Sequence, residues 1–120
     1  YLGQNNITFT DSIKNECLIE FYNSLDLFVL PSSYEGLGCV YLEAHSCGVP
    51  FIGIKGQGID EWVPSELKNN LLCNPYDVNE LSDLIHRHLK ENISISKLNY
   101  NVSINSHIQK FLDFINNIRI

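Results

Sequence analysis

Apolar residues follow one another along this chain in two alternating rhythms. Short and nearly continuous apolar runs, Leu27-Phe28-Val29-Leu30, Phe51-Ile52-Gly53-Ile54 and Leu71-Leu72-Cys73, are separated by stretches where apolar positions recur every three or four residues. The runs predict buried strands and the spaced stretches predict amphipathic helices. Ile7-Thr8-Phe9 adds a short strand near the start. Leu18, Phe21, Tyr22 and Leu25 then predict a helix over about 15–25, followed by a strand from Asp26 that Pro31 stops. A helix over about 38–47 ends at Gly48, a plausible C′ glycine. After the strand at 51–54 come a glycine-rich loop over 55–58 and a short helix or turn over 59–63. Asn74-Pro75 closes the strand at 71–73. Asp77 and Glu80 make a capping-box-like start for a helix carrying Leu81, Leu84, Ile85 and Leu89 on one face. Ile108, Phe111, Leu112, Ile115 and Ile118 mark a last helix. Strands alternating with helices through short loops imply an α/β fold with a doubly wound, Rossmann-like parallel sheet. In such folds, ligands gather where strands end.

One strand end carries more chemistry than the others. Between Leu30 and the helix at 38–47 lies Glu35-Gly36-Leu37-Gly38-Cys39-Val40-Tyr41-Leu42-Glu43, with one carboxylate in the loop and the second inside the helix. Amides freed by Gly36 and Gly38, and the positive end of the helix, can face phosphate oxygens. Leu37, Gly38 and Cys39 are the expected backbone donors. Glu43 lies ~7.5 Å further along the helix axis, at about 1.5 Å per residue. A carboxylate there can accept two hydrogen bonds from a ribose diol. Glu35, at the loop tip, would face whatever is attached to the far phosphate.

This stretch resembles the donor-site motif of retaining GT-B glycosyltransferases of the family 4 type, a pattern of Glu, seven residues, Glu, Ala, three residues, Gly, one residue, Pro. Glu35, Glu43, Ala44, Gly48 and Pro50 stand at those places. Ile7-Thr8-Phe9, Leu18, Phe21, Tyr22, Asp26, Gly58-Ile59-Asp60-Glu61 and Asn74-Pro75-Tyr76-Asp77 extend the likeness over most of Ile7 to Leu89. The resemblance implies that residues 1–120 are the distal part of a C-terminal, nucleotide-sugar-binding domain. The N-terminal acceptor domain would be absent from the chain, and the chain would be inactive alone. The parent would move a sugar from a nucleotide-diphosphate sugar, such as a UDP- or GDP-sugar, to a glycan or lipid-linked acceptor with retention. Glu35 would contact donor hydroxyls near the reacting carbon, and Glu43 the ribose. No cofactor or metal is expected. Asp11 stands where the family usually has glycine, in the loop expected near the base. A non-catalytic nucleotide-sugar-binding module and, behind it, a sugar-nucleotide epimerase remain the other readings at this point.

Composition narrows the partners. The chain has 120 residues, 44% hydrophobic and 18% charged, which suits one globular domain or part of one. A net charge of -6 argues against an extended nucleic-acid surface. A localised phosphate site built from amides remains compatible. Cys17, Cys39, Cys47 and Cys73 have no zinc-like spacing, and most sit within apolar patterns, so buried free thiols in a reducing compartment are expected. His45 with Cys47, and His86 with His88, diverge around their helices, and none makes a metal or nucleophile pair. Asp60 and Glu61 are expected to cap the turn after the glycine loop. No apolar segment approaches the ~20 residues of a spanning helix. The expected setting is bacterial surface-polysaccharide assembly in the cytoplasm or at the inner face of the membrane, with peripheral membrane association only through the parent protein.

Overall fold

The structure, a computed structural model, describes residues 6–36 and 38–91. Its regular elements are helix α1 (Leu18–Asn23), strand β1 (Phe28–Val29), helix α2 (Cys39–Ser46), strand β2 (Phe51–Ile54), the one-turn helix α3 (Lys68–Leu71), strand β3 (Leu72–Cys73) and helix α4 (Val78–Glu91). Turns of 3₁₀ helix precede α1, at Asn15–Cys17, and follow β2, at Gly58–Glu61. The strands form a parallel sheet in the order β1-β2-β3, with Phe28 opposite Phe51 and Ile54 opposite Cys73. The Phe28 amide donates to the Pro50 carbonyl and the Leu30 amide to that of Ile52.

Side chains alternate across this sheet with a period of two, and both faces are covered. Phe51 and Leu72 pack on one side with Tyr41 of α2, Ile59, Val63 and Leu71. Ile52, Ile54 and Cys73 pack on the other side with Leu84 of α4, joined by the partly buried Leu81 and Ile85. Covering a parallel sheet on both faces is what a doubly wound α/β fold requires, and the arrangement is Rossmann-like. A third cluster of Tyr22, Ala44 and Val49 fastens α1 to α2. Phe21, Tyr22, Phe28, Tyr41 and Phe51 pack ring to ring across these layers, with centroids 5.3–5.9 Å apart. Such pairs contribute about 0.5–1.5 kcal/mol each beyond their burial.

Helix α2 stops where a Schellman motif stops it. Gly48 has φ +81°, its amide donates to the His45 carbonyl, and the Val49 amide donates to that of Ala44. Val49 then packs beside Ala44 in the third cluster, the apolar contact this motif usually carries.

Several expectations are corrected. Ile7-Thr8-Phe9 is not a strand: among the described residues no strand pairs with it, and Phe9 is 93% exposed. An unpaired strand leaves its backbone groups to water and has little to hold it extended. The first helix is shorter than 15–25, because Asn15–Cys17 is wound as 3₁₀. In α4, His88 rather than Leu89 completes the inward stripe of Leu81, Leu84 and Ile85, since i+7 returns to the starting face and i+8 overshoots it. His88 Nε2 donates to the Asn70 carbonyl at 2.7 Å, which ties the end of α4 to α3. Helix α3 takes Leu71 out of the strand expected at 71–73, which is shortened to Leu72–Cys73. Asp77 does cap α4, accepting from the Glu80 amide at 2.9 Å. Glu80 does not close the box, reaching instead the Asn74 amide and Lys55. The cysteines are free, yet only Cys73 is buried. The helix expected at 108–118 lies outside the described residues. Among the described residues no helix is long and apolar enough to cross a membrane.

Phe51 is fully buried at the centre of the first cluster. Phe51→Ala should lower stability by about 3–5 kcal/mol, and Phe9→Ala by less than about 0.5 kcal/mol. Urea unfolding of the two variants followed by circular dichroism checks this; comparable losses would contradict the assignment of Phe9 to the exterior.

Candidate functional site

The loop from β1 to α2 runs on from Pro31, beyond the carboxyl end of β1, and turns into α2 at Gly38. Gly38 is the N-cap, in the left-handed conformation at φ 65° and ψ 55°, and no side chain caps the helix there. It is buried despite its place at a loop end. A Cβ on Gly38 would lie 2.6 Å from the Tyr41 ring and 3.2 Å from Cγ of Glu35. Only glycine meets both demands, the positive φ and the close ring. Gly36 is different, since it is exposed and a Cβ there would meet nothing within 4 Å.

Tyr41 is the floor of this turn. It is fully buried, and its hydroxyl donates to the Leu30 carbonyl at 2.7 Å, at the end of β1 just before the loop. Burial, with a further push from the Glu35 charge, raises its phenol to about 12. Glu35 therefore sits close enough to be felt by the ring under Gly38. The Glu35 backbone is tied to the opposite loop: its amide donates to Gln57 Oε1 at 2.8 Å, and its carbonyl accepts from the Gly58 amide at 3.4 Å.

Glu43 lies on the same helix but faces another way, into a groove of about 460 Å³ between α1 and α2. Asn15, Leu18, Tyr22, Cys39, Leu42 and Cys47 are among the residues that line it. The Tyr22 hydroxyl donates to Glu43 Oε2 at 2.8 Å. Burial, then the Glu43 carboxylate, holds the Tyr22 phenol well above its ordinary value of 10. The phenol stays a donor, and Oε1 of the glutamate is not the oxygen it engages. Cys39, the first residue of α2, is exposed at the end of this groove. The structure thus places Glu35, Gly38 and Cys39 around the start of α2 and Glu43 one turn along it. Leu37 lies outside the described residues.

A second cleft, of about 250 Å³, opens beside the same loop, with Ser33, Ile54, Cys73, Pro75, Tyr76 and Leu81 in its wall. It is mostly apolar, and it has no carboxylate pair. Lys55 borders this end of the sheet but is paired with Glu80 at 3.3 Å. Asp60 does not cap its own turn; it accepts from the Gly56 amide at 2.8 Å and pairs with Lys68, and these contacts hold its carboxyl below the usual value. Among the described residues no group of three or more His, Cys, Asp and Glu side chains could hold a metal ion.

Residues 1–105 match the model of the family described as glycosyl transferases group 1. The chain belongs to that family. Among its relatives, this group 1 glycosyltransferase domain is 39% identical over 84 residues, 65% of the chain, to the sulfoquinovosyl transferase SQD2 of Arabidopsis thaliana. It is 31% identical over 90 residues, 75% of the chain, to the serotype-specific mannosyltransferase WbdA of Escherichia coli. It is 33% identical over 87 residues, 67% of the chain, to a GDP-mannose-dependent monoacylated alpha-(1-6)-phosphatidylinositol monomannoside mannosyltransferase of Corynebacterium glutamicum. The matched stretches make up 16%, 11% and 22% of those proteins, so the chain spans a small part of each.

Sequence reasoning about this glycosyltransferase domain singled out the carboxylates and missed the side chains that hold them. On sequence, Tyr22 belongs to the apolar stripe of its helix and to the family likeness, and Gln57 to a glycine-rich loop. Tyr22 had a faint signal, a phenol among apolar neighbours whose hydroxyl needs a partner. Gln57 had none, because its partners are 22 and 24 residues away.

The raised phenols set an alkaline limit. Tyrosines ionise near 10 in the unfolded chain, while Tyr41 holds its proton to about 12 and Tyr22 is held above 10 too. Their contribution is complete below pH 10 and is lost as pH rises through the folded values. Stability from urea midpoints should therefore fall between pH 10 and about 12. Tyr22→Phe should flatten that fall and cost about 1 kcal/mol at pH 7, the worth of one hydrogen bond to a solvent-exposed carboxylate. A wild-type midpoint that does not change across this window would contradict it.

Proposed function

We propose that this domain is the donor-binding part of a retaining glycosyltransferase. The whole enzyme would move a hexosyl group from a nucleotide-diphosphate sugar to a hydroxyl of a glycan or lipid-linked acceptor. The observation that carries the reading is the uncapped start of α2 at Gly38, with Glu35 against it and Glu43 in the adjoining groove. Helix amides and the positive helix end favour a diphosphate there. Glu43, oriented by Tyr22, has a carboxylate oxygen for the ribose diol. Glu35 at the turn would meet the sugar on the distal phosphate and stabilise positive charge developing at the anomeric carbon. The acceptor hydroxyl would form its bond to that carbon on the face that the diphosphate leaves. The departing phosphate oxygen would take the acceptor proton, and configuration would be retained.

The acceptor side would come from a second, N-terminal domain of the whole protein. The names of relatives support a sugar-polymer context: the mannosyltransferase WbdA is named serotype-specific, and another Escherichia coli relative, 34% identical over 85 residues, is named an O-antigen chain mannosyltransferase. Assembly of a bacterial surface polysaccharide from the cytoplasmic side of the membrane is the setting we propose.

Two substitutions in the intact protein separate the roles. Glu43→Ala should weaken binding of GDP or UDP by about 10–100-fold in calorimetric titration, the equivalent of losing a charged hydrogen bond. Glu35→Gln should lower kcat by about 10²–10³-fold, the range for removing one group that stabilises transition-state charge, while GDP and UDP affinity stays within about threefold. Turnover is measured with GDP-mannose, UDP-glucose and UDP-galactose, with product analysis for anomeric configuration. Wild-type constants in both variants would overturn the site; an inverted product would overturn retention; an interconverted donor would mark an epimerase.

A further inference from the structure

We infer that Gln57 is the positioning residue of the Glu35 turn; the inference rests on the reading of Glu35 given above. Its carboxamide makes two bonds to the loop that carries Glu35: Oε1 accepts from the Glu35 amide at 2.8 Å, and Nε2 donates to the Ser33 carbonyl at 3.2 Å. The neighbouring Gly58 amide donates to the Glu35 carbonyl at 3.4 Å. Both backbone groups of Glu35 are thus satisfied by the two residues 57 and 58. The side chain completes, between two loops, the kind of ladder that main chains make between strands.

Gln57 can do this because its own loop is anchored. Lys55 N–H donates to the Cys73 carbonyl at 2.9 Å, which ties the loop's start to β3. Gly56 takes φ +78°, and its amide is bound by Asp60, which Lys68 holds in turn. Gln57 is extended at φ -98° and ψ 169° where the 3₁₀ turn at Gly58–Glu61 begins. Its side chain is therefore launched from fixed backbone toward residues 33–35.

The chemistry selects glutamine. One end of the side chain must accept and the other must donate, and a carboxamide offers both. Glutamate keeps the acceptor for the Glu35 amide but turns a carboxylate oxygen toward the Ser33 carbonyl. Alanine leaves the Glu35 amide and the Ser33 carbonyl to solvent, and the turn loses its tie. Displacing a reacting group by about 1 Å can cost ~10²-fold in rate without changing what is bound. Gln57 touches neither the α2 groove nor Glu43, so nucleoside diphosphate binding should be spared.

The test uses the intact protein, with the three donor sugars above for turnover and GDP or UDP for binding. Gln57→Ala should lower kcat by about 10–100-fold with GDP and UDP affinity within about threefold. Gln57→Glu should fall between Gln57→Ala and wild type. In a Glu35→Gln background, adding Gln57→Ala should cost less than about twofold more, because groups acting as one unit are not additive. Hydrogen exchange of the peptide containing residues 33–36 should quicken at least about tenfold in Gln57→Ala, as a protecting bond is lost. Unchanged exchange there would overturn the inference whether or not turnover is seen. Slow turnover in Glu35→Gln with wild-type turnover in Gln57→Ala would overturn the inference and leave the site reading standing. Equal losses of kcat and GDP affinity in Gln57→Ala would mark a merely structural residue and overturn it too. Wild-type kcat in Glu35→Gln would fell the site reading, and the inference with it.

Discussion

The contact of Gly38 with the Tyr41 ring decides the shape of everything above it. A residue buried completely at the third position of α2 fills the space under the helix start, so the chain must arrive there without a side chain and with a positive φ. The same ring reaches back to the Leu30 carbonyl, where β1 gives way to the loop, and lies over Gly53 of β2, whose Cβ would come within 3.3 Å of it. One aromatic side chain therefore sets the distance between the end of β1, the middle of β2 and the first turn of α2. Glycine is required by it at position 38, and a Cβ at Gly53 would be a tight fit against it. A loop bounded in this way can present a helix amide end and a carboxylate together without extra scaffolding.

An acidic chain has to solve a particular problem if it is to hold a diphosphate. Its formal charge of -6 would repel the ligand at long range, and Lys55 and Lys68 are already engaged with Glu80 and Asp60. Backbone dipoles answer this without net charge. They act within a turn of the helix end, and they are indifferent to the composition of the rest of the surface. Both ends of α2 are specified accordingly: Gly38 leaves the first amides without a side-chain cap, and Gly48 closes the last carbonyls in the Schellman motif.

Legibility followed the range of the interactions. The strands at 51–54 and 72–73, the stop at Gly48 and the Asp77 cap depend on neighbours a few residues away, and periodicity with local chemistry exposes them. Ile7-Thr8-Phe9 has strand-like composition, yet a strand exists only through its partner, and composition contains no partner. Leu89 and His88 differ by one helical step, and which of them is inward depends on the phase set by Leu84 against the sheet. The carboxylates Glu35 and Glu43 were found through an ordered pattern of residues. Their supports were not, because Tyr22 meets Glu43 across 21 positions and Gln57 meets Glu35 across 22. Contacts between distant loops have no period to betray them.

The two carboxylates are held by opposite strategies, and the difference suits the different work proposed for them. Glu43 stands on a helix, and a phenol fixed in the aromatic core engages its oxygen directly, so the charged group itself is oriented. A ribose diol is the same in UDP- and GDP-sugars and wants acceptors in one constant place. Glu35 is held by its backbone amide and carbonyl, while its side chain leaves the turn beside Gly38, with open space around the neighbouring Gly36. A group that must follow a sugar from bound donor toward a flattened, cationic transition state gains from a fixed origin and an adjustable tip. Fixing the carboxylate as rigidly as Glu43 would bind one geometry of that reaction better than the next. On that proposal, rigidity at the ribose would come from helix α2 and compliance at the sugar from the loop before it, with Gly38 dividing the two regimes.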